Sequence, residues 1–346
     1  MIVLGIEATA HTFGAGVVES QARTAGAVDM RNTRVLCNEF DRYPSSADGF
    51  IPRKLADHHA KVALKVVRAA LQKAGVGIRD VDAIAFSQGP GIGACLRIGY
   101  VCAKSLSTLN SKPLVPVNHT VAHVEVGKWA CNCKDPLVVY VSGGNTQIAA
   151  KQKQDGKSYY RVLGETLDVG IGNFLDVVGR KINLSPPDAV GVMKTAQQYC
   201  RAQKGKPEYF ELPYTVKGMN LAFSGLQTAV LRAHAQNACS VGQLCYSAQE
   251  TAFAMLVEAS ERALCHTRKP QVLMVGGVAK NDRLREMYSL MCKEQQTRFE
   301  AVPFEYAGDQ GAMIAVAGLK NILAKATNKS VEPTQDLRLD SQEITW

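Results

Sequence analysis

No run of about 18 consecutive apolar residues occurs in the sequence, so no helix is expected to cross a membrane. The opening Met1-Ile2-Val3-Leu4-Gly5-Ile6-Glu7 has no basic segment and meets an acid at its seventh residue. It reads as a first β-strand rather than a signal peptide, and the Arg-rich, acid-poor look of an organelle transit segment is missing. Cys-x-x-Cys pairs are absent. The ten cysteines are scattered, and the close pair Cys131 and Cys133 has the wrong spacing for a zinc knuckle. They are expected to be reduced thiols in a cytosolic protein, most of them small buried apolar groups. No low-complexity linker interrupts the chain, so any lobes are joined rigidly or interleaved.

What is present is the composition of a folded protein: 346 residues, 46% hydrophobic and 21% charged. That is enough for one large domain or two lobes. The net charge of +9, from 40 Lys and Arg against 31 Asp and Glu, permits a polyanionic partner through counterion release. The basic residues are widely spread, with modest clusters at Lys151–Arg161 and Arg201–Lys206, which also read as solvated surface.

Strand and helix signals alternate throughout, which argues for an α/β chain. Ile2–Ile6 and Gly14–Val18 read as a hairpin around a polar turn. Arg53–Ala74 carries Leu55, Val62, Val66 and Ala70 at helical spacing and stops at Gly75. Ala83–Phe86 reads as a buried strand, followed by the glycine loop Gln88–Gly93 and a helix over Arg97–Leu109. The grammar then repeats: strand Leu137–Val141, turn Ser142-Gly143-Gly144-Asn145, and returning strand Thr146–Ala150. Helices over Gly225–Ala235 and Tyr246–His266 follow. Strand Val272–Val275 then leads through Gly276-Gly277 to a helix over Asn281–Lys293. A last helix, Gly311–Lys325, precedes a polar tail with a strand-like end, Glu343–Trp346. Two hairpin openings, near residues 5 and 140, suggest two lobes about a cleft: 1–130 with 306–346 packing back onto it, and 131–305 with a helical insertion over about 170–265.

Four segments could carry chemistry. His119 and His123, four apart on a helix, can reach one metal ion, although Thr120 stands where a His-Glu-x-x-His metallopeptidase has its base. The turn Ser142-Gly143-Gly144-Asn145-Thr146 either cradles phosphate oxygens or is an ordinary hairpin. Val275-Gly276-Gly277-Val278 leading to a helix either points a helix dipole at a ligand, with Asn281 hydrogen-bonding it, or is a packing turn. Asp309 in Ala307-Gly308-Asp309-Gln310-Gly311 is either a helix N-cap or a metal carboxylate. The loop Gly89-Pro90-Gly91-Ile92-Gly93 lacks the spacing of a dinucleotide fingerprint. Glu211–Gly218 with Phe223-Ser224-Gly225 reads as a loop over the cleft or a helix lead-in.

In order along the chain stand Gly5-Ile6-Glu7-x-Thr9-Ala10-His11, Ser87-Gln88-Gly89-Pro90-Gly91, Asn118-His119 with His123 and Glu125, and Tyr140-Val141-Ser142-Gly143-Gly144-Asn145-Thr146. Gly164–Asp168, Phe223-Ser224-Gly225, Gly276-Gly277-Val278 and Asp309-x-Gly311-Ala312-Met313 follow. This set resembles the universal tRNA threonylcarbamoyladenosine transferase family, in its archaeal and eukaryotic branch, the catalytic subunit of the KEOPS complex. The resemblance covers nearly the whole chain. It implies an actin-like ATPase (ASKHA) fold and a divalent metal, iron or zinc, at His119, His123 and Asp309 with Tyr140 beside them. It also carries substrate and nucleotide contacts to Tyr140, Val141, Ser142, Gly143, Gly144, Asp176, Gly191, Gly276, Gly277 and Asn281. Thr195 stands where the family has an acid, and Pro186–Val190 departs from the family's glycine- and proline-rich version.

The activity so implied is transfer of threonylcarbamoyl from threonylcarbamoyl-AMP to the N6 amine of adenosine 37 in tRNAs that read codons beginning with A. Glu7 is the candidate general base. The implied partners are tRNA, a kinase-like ATPase, its small regulatory subunit and a small dimerising subunit, in cytoplasm and nucleus. Rival readings are a metallopeptidase acting on sialoglycoproteins, a small-molecule kinase of the same fold, and a polymerising actin-like scaffold. Lys181, Arg201, Lys204 and Lys206 are expected to face the RNA.

Overall fold

The computed structural model describes residues 1–21, 30–44, 49–326 and 330–346. Its first sheet contains β1 (Ile2–Glu7), β2 (Thr12–Ser20), β3 (Thr33–Arg42), β4 (Ala83–Gly89) and β5 (Leu114–Asn118), in the order β3-β2-β1-β4-β5. The first three strands form an antiparallel meander, and β4 and β5 run parallel to β1. With it go α1 (Pro52–Ala74), α2 (Gly93–Leu109) and α3 (His119–Ala130). The second sheet is built from β6 (Leu137–Val141), β7 (Thr146–Gln154) and β8 (Lys157–Glu165). After α4 (Ile171–Lys181), α5 (Ala189–Ala202), the two-residue pair β9 (Val216–Lys217) and β10 (Asn220–Leu221), α6 (Ser224–Ala235) and α7 (Val241–Thr267), it is completed by β11 (Gln271–Val275) and β12 (Arg298–Ala301). Helix α8 (Asp282–Glu294) joins those last two strands, and α9 (Phe304–Ala307) and α10 (Gly311–Leu323) follow. Both expected hairpins are present, and α4 to α7 lie between β8 and β11 along the chain.

Period-two burial explains how the first sheet is covered. Leu4 and Ile6 pack with Val66, Val67 and Ala103 of α1 and α2, while Val3 turns the other way toward Ala122 and Ile314 of α3 and α10. Helix α1 starts with a proline in its first turn and ends at Gly75 in the left-handed region, as its sequence signals require. Central strands β6 and β11 are buried on both faces, which accounts for their continuous apolar runs.

Helix α10 lies unusually close to β1 and β2: a β-carbon on Gly16 would sit 2.1 Å from the Ala312 nitrogen, and one on Gly5 2.3 Å from that of Ala315. These glycines bring the start of α10, and Asp309 just ahead of it, to the C-terminal end of β1. Helix α10 therefore packs back on the first lobe, as does the tail near Gln88, whose side chain donates to the Ser330 and Glu332 carbonyls. The last residues go elsewhere. Leu339 and Ile344 are buried in the second lobe's core, and the Ile344 N–H donates to Ser158 of β8. The assignment of all of 306–346 to the first lobe is thus corrected: β8 offers an unpaired strand edge that the C-terminal residues cover.

One buried ion pair ties the lobes together. Glu125 of α3 is fully buried and accepts from Lys320 of α10 at 2.5 Å, from Lys128 at 3.3 Å and from the Tyr160 hydroxyl of β8. Burial pushes both Glu125 and Lys320 toward neutrality. The two lysines together with Tyr160 outweigh it and hold the Glu125 carboxyl well below its usual range. Glu125→Leu strands a buried ammonium and should cost about 3–5 kcal/mol in chemical denaturation, whereas Glu125→Leu/Lys320→Met should recover most of the loss. Equal destabilisation by the single and double variants would contradict this.

Candidate active site between two sheet edges

The C-terminal ends of β1, β4, β6 and β11 face one another across a cleft of about 520 Å³, where open α/β sheets place their ligands. Asn118 at the end of β5 caps α3, its side-chain oxygen accepting from the Thr120 and Val121 amides at 3.0 and 3.3 Å. The cap fixes the first helical turn, so His119 and His123 share a face with ring centroids 4.7 Å apart.

Asp309 does not cap α10. Gln310 does, its Oε1 accepting from the Met313 amide at 3.0 Å, and that leaves the Asp309 carboxylate free. Its Oδ1 lies 3.2 Å from His123 Nε2 and 3.7 Å from His119 Nε2. Ligand atoms of all three residues fall within 4.8 Å of one another. Behind them, Glu7 accepts from His119 Nδ1 at 2.9 Å with one oxygen, and from the Thr9 amide at 2.7 Å with the other. That bond seats a His119 proton on Nδ1 and turns Nε2 toward Asp309, where it can donate when protonated or bind a metal when it is not. Glu7 is fully buried and does not line the cleft, so its place is behind His119 rather than before a substrate.

Electrostatics show what this corner calls for. Burial opposes a charged His119, yet Glu7 and Asp309 outweigh it and raise its pKa to about 9. Burial also opposes a charged Asp309, and the two imidazoles overcome it and hold the carboxyl far below its usual range. His123 is lowered, by burial first and by its neighbour His119. Two carboxylates beside two imidazoles leave this corner short of positive charge, which protons or a divalent metal cation can supply. Two nitrogens, one carboxylate oxygen and a buried carboxylate behind one imidazole form a donor set that suits iron or zinc. Tyr140 packs its ring 5.2 Å from that of His123, and burial raises its phenol pKa.

The turn after β6 is closed by the Ser142 amide donating to the Asn145 carbonyl at 2.8 Å, and Ser142, Gly143 and Gly144 line the cleft. Val141 is buried behind them. Gly276 holds φ +99 with its missing β-carbon 2.2 Å from the Val141 carbonyl, so the backbone itself requires glycine there. Gly277 lines the cleft, and nothing lies within 4 Å of its missing β-carbon; the same is true of Gly144. A 3-10 turn that begins at Gly277 and runs to Lys280 comes before α8, so the N-terminus of α8 does not start at the glycines.

The remaining candidates divide. Asp176 lines the cleft, accepts from the Ala189 amide at 2.8 Å and is raised by burial. Asn281 caps α8, donates to Gln249 at 3.1 Å and faces a neighbouring cavity of about 450 Å³ with Met193, Cys200 and Tyr246. Gly191 packs against the Pro186 carbonyl on α5, and Thr195 on the same helix lines neither cavity. The segment from Glu211 to Gly225 stays out of the cleft; Asp168 accepts from the Phe223 and Ser224 amides, which makes it a helix lead-in. Cleft residues without a local sequence signal are Arg42, Phe50, Asn173 and Lys280. Pro90 to Ile92 also line it, and their position at the end of a parallel strand was the legible sign.

The model of the tRNA N6-adenosine threonylcarbamoyltransferase family matches residues 34–316. The chain belongs to this family. A tRNA N6-adenosine threonylcarbamoyltransferase of Staphylothermus marinus is 47% identical across 99% of both chains, and one of Thermococcus sibiricus is 46% identical across 100% of both. Among solved structures, HypF of T. kodakarensis superposes with a TM-score of 0.60 at 16% identity, over 94% of this chain and 48% of HypF. That likeness concerns the fold alone, which is actin-like.

The two adjacent glycines should respond oppositely. Gly276→Ala should lower the melting temperature by several degrees, through a clash and a strained φ, while Gly277→Ala should leave it within about a degree. Equal shifts would show that the paired glycines have a common structural role.

Proposed function

We propose that the chain modifies tRNA by moving a threonylcarbamoyl group from threonylcarbamoyl-AMP to the N6 amine of adenosine 37, in tRNAs that read codons beginning with A. One observation supports this most: a single cleft is bordered both by Gly143, Gly144 and Gly277 and by His119 and Asp309, with the buried His123 beside those two. The amine forms a bond to the carbonyl carbon, the carbon–oxygen bond to phosphate breaks with its electron pair leaving on AMP, and the nitrogen gives up one proton to the departing phosphate or to solvent. An exocyclic amine is a weak nucleophile, so the gain must come from positioning and from stabilising charge on the leaving phosphate.

Gly143, Gly144 and Gly277 present backbone where the adenylate lies, with Asp176 at the same wall and Asn281 beyond it. Glu7 orients His119 rather than moving a substrate proton. A divalent metal, iron or zinc, held by His119, His123 and Asp309 with Tyr140 alongside would supply Lewis acidity at the carbonyl or phosphate oxygen. Tyr140, Ser142, Gly143, Gly144, Asp176 and Gly277 form our substrate set, with Val141 and Gly276 supporting them from behind, and the places of Gly191 and Thr195 off the cleft give them a packing role.

The rival activities lack their key groups. A metallopeptidase of the His-x-x-x-His type needs a base between its histidines, and the Thr120 hydroxyl is spent on Asn118 at 2.7 Å. A kinase needs a free acid facing a hydroxyl, and Glu7 is buried behind His119. We further propose that tRNA approaches the exposed Lys181, Arg201, Lys204 and Lys206. The KEOPS subunits (kinase-like ATPase, regulatory and dimerising subunits) would complete the assembly in cytoplasm and nucleus.

Purified protein, metal-loaded and supplied with these subunits, synthetic threonylcarbamoyl-AMP and unmodified tRNA, should yield threonylcarbamoyladenosine by nucleoside mass spectrometry. Gly277→Val should slow the reaction at least about tenfold by filling the cleft. No modified nucleoside from the wild type under these conditions would overturn the reading.

A further inference from the structure

Among the described residues, two cations stand in the cleft without acidic partners. Arg42 comes from the end of β3 in the first lobe and Lys280 from the turn after β11 in the second, and both line the same cavity. Among the described residues neither makes an ion pair. Arg42 lays its guanidinium on the Phe40 ring, 4.6 Å from the centroid. Its Nη2 lies 3.1 Å from where a β-carbon on Gly308 would be, beside Asp309. Lys280 is half-buried three residues beyond Gly277. The carboxylates of this cleft are committed elsewhere: Asp309 to the imidazoles, and Asp176 to the Ala189 amide. Burial, and then repulsion from Arg42, lowers the Lys280 pKa. Like charges brought together from separate lobes, with no acid between them among the described residues, raise each other's energy until an anion arrives.

We propose that Arg42 and Lys280 form a two-sided phosphate clamp, one cation from each lobe, that grips the phosphate of the adenylate donor and draws the lobes together on it. The assignment of that phosphate to the donor rests on the adenylate reading above; the phosphate chemistry does not. The two cations, the glycine turns and Asp309 all border one cavity, so a phosphate gripped there shares the cleft with the other two. As the carbon–oxygen bond breaks, the leaving phosphate gains negative charge, and both cations are already in place to receive it. Lys280 recovers its ordinary basicity on binding, because the anion offsets both burial and Arg42.

The test is calorimetry at low salt with AMP, adenosine and inorganic pyrophosphate, on wild type, Arg42→Ala, Lys280→Ala and Lys280→Arg, with melting temperatures confirming folded protein. AMP and pyrophosphate should each weaken about tenfold or more in both alanine variants, since each loses a charge-assisted contact. Adenosine should be indifferent, and Lys280→Arg should restore most of the affinity. Unchanged AMP and pyrophosphate affinities in both alanine variants, or no binding of either by the wild type, would overturn the clamp. Pyrophosphate binding that depends on both cations, with AMP no tighter than adenosine, would uphold the phosphate site and sink the adenylate reading instead. An anticodon stem-loop titration completes the set. Loss of RNA binding alone, with AMP retained, would give the pair to an RNA backbone phosphate and overturn its assignment to the donor.

Discussion

Asp309 places a carboxylate 3.2 Å from one buried imidazole and 3.7 Å from another, at the point where the chain leaves the second lobe for the first. The rest of the cleft is arranged around that junction. Helix α10 can deliver Asp309 because Gly5 and Gly16 let it lie almost on the backbone of the first sheet. Helix α3 can deliver both histidines because Asn118 caps its first turn and Glu125 pins its later turns to Lys320 and Tyr160. Glu7 completes the junction from behind. A buried cluster with two carboxylates is tolerable only when balanced by positive charge, and His119 bears the strain of that balance in its raised pKa.

The opposite wall is electrically different. Around Ser142–Asn145 and Gly276-Gly277 the chain presents backbone and small side chains, and Gly277 and Gly144 leave open space where other residues would put a side chain. An anionic ligand on that wall meets one carboxylate, Asp176, which accepts from the Ala189 amide, before it reaches the metal-type corner. The first lobe and the start of α10 bring the imidazoles and Asp309 to the cleft, while the second lobe brings the glycine turns together with Asp176 and Lys280. Chemistry here follows from the grafted residues and not from the frame.

Legibility in the sequence followed the range of the interaction. The hairpins, α1 with its Gly75 stop, and the buried strands β6 and β11 rest on local periodicity and caps, and they could be read directly. The His119–His123 pair was legible for the same reason, being one helical turn. Asp309 was ambiguous, because a helix-start acid is usually a cap; only the neighbouring Gln310, which takes the capping role, frees it. Glu7 looked like a base because nothing local reveals that a residue more than a hundred positions away, His119, occupies its carboxylate. Arg42 and Lys280 carried no signal at all, since their meaning lies in facing each other across two lobes. The C-terminal residues misled for a similar reason: their partner is the edge of β8, distant in sequence.

The account depends on His119, His123 and Asp309 acting as one metal-holding unit within a fold that stands without the metal. Elemental analysis of wild type and the His119→Ala/His123→Ala double variant, each purified identically and checked by circular dichroism, measures this directly. The account predicts about one divalent ion per wild-type chain and none in the variant, with unchanged secondary structure. Full metal occupancy in the double variant would contradict it.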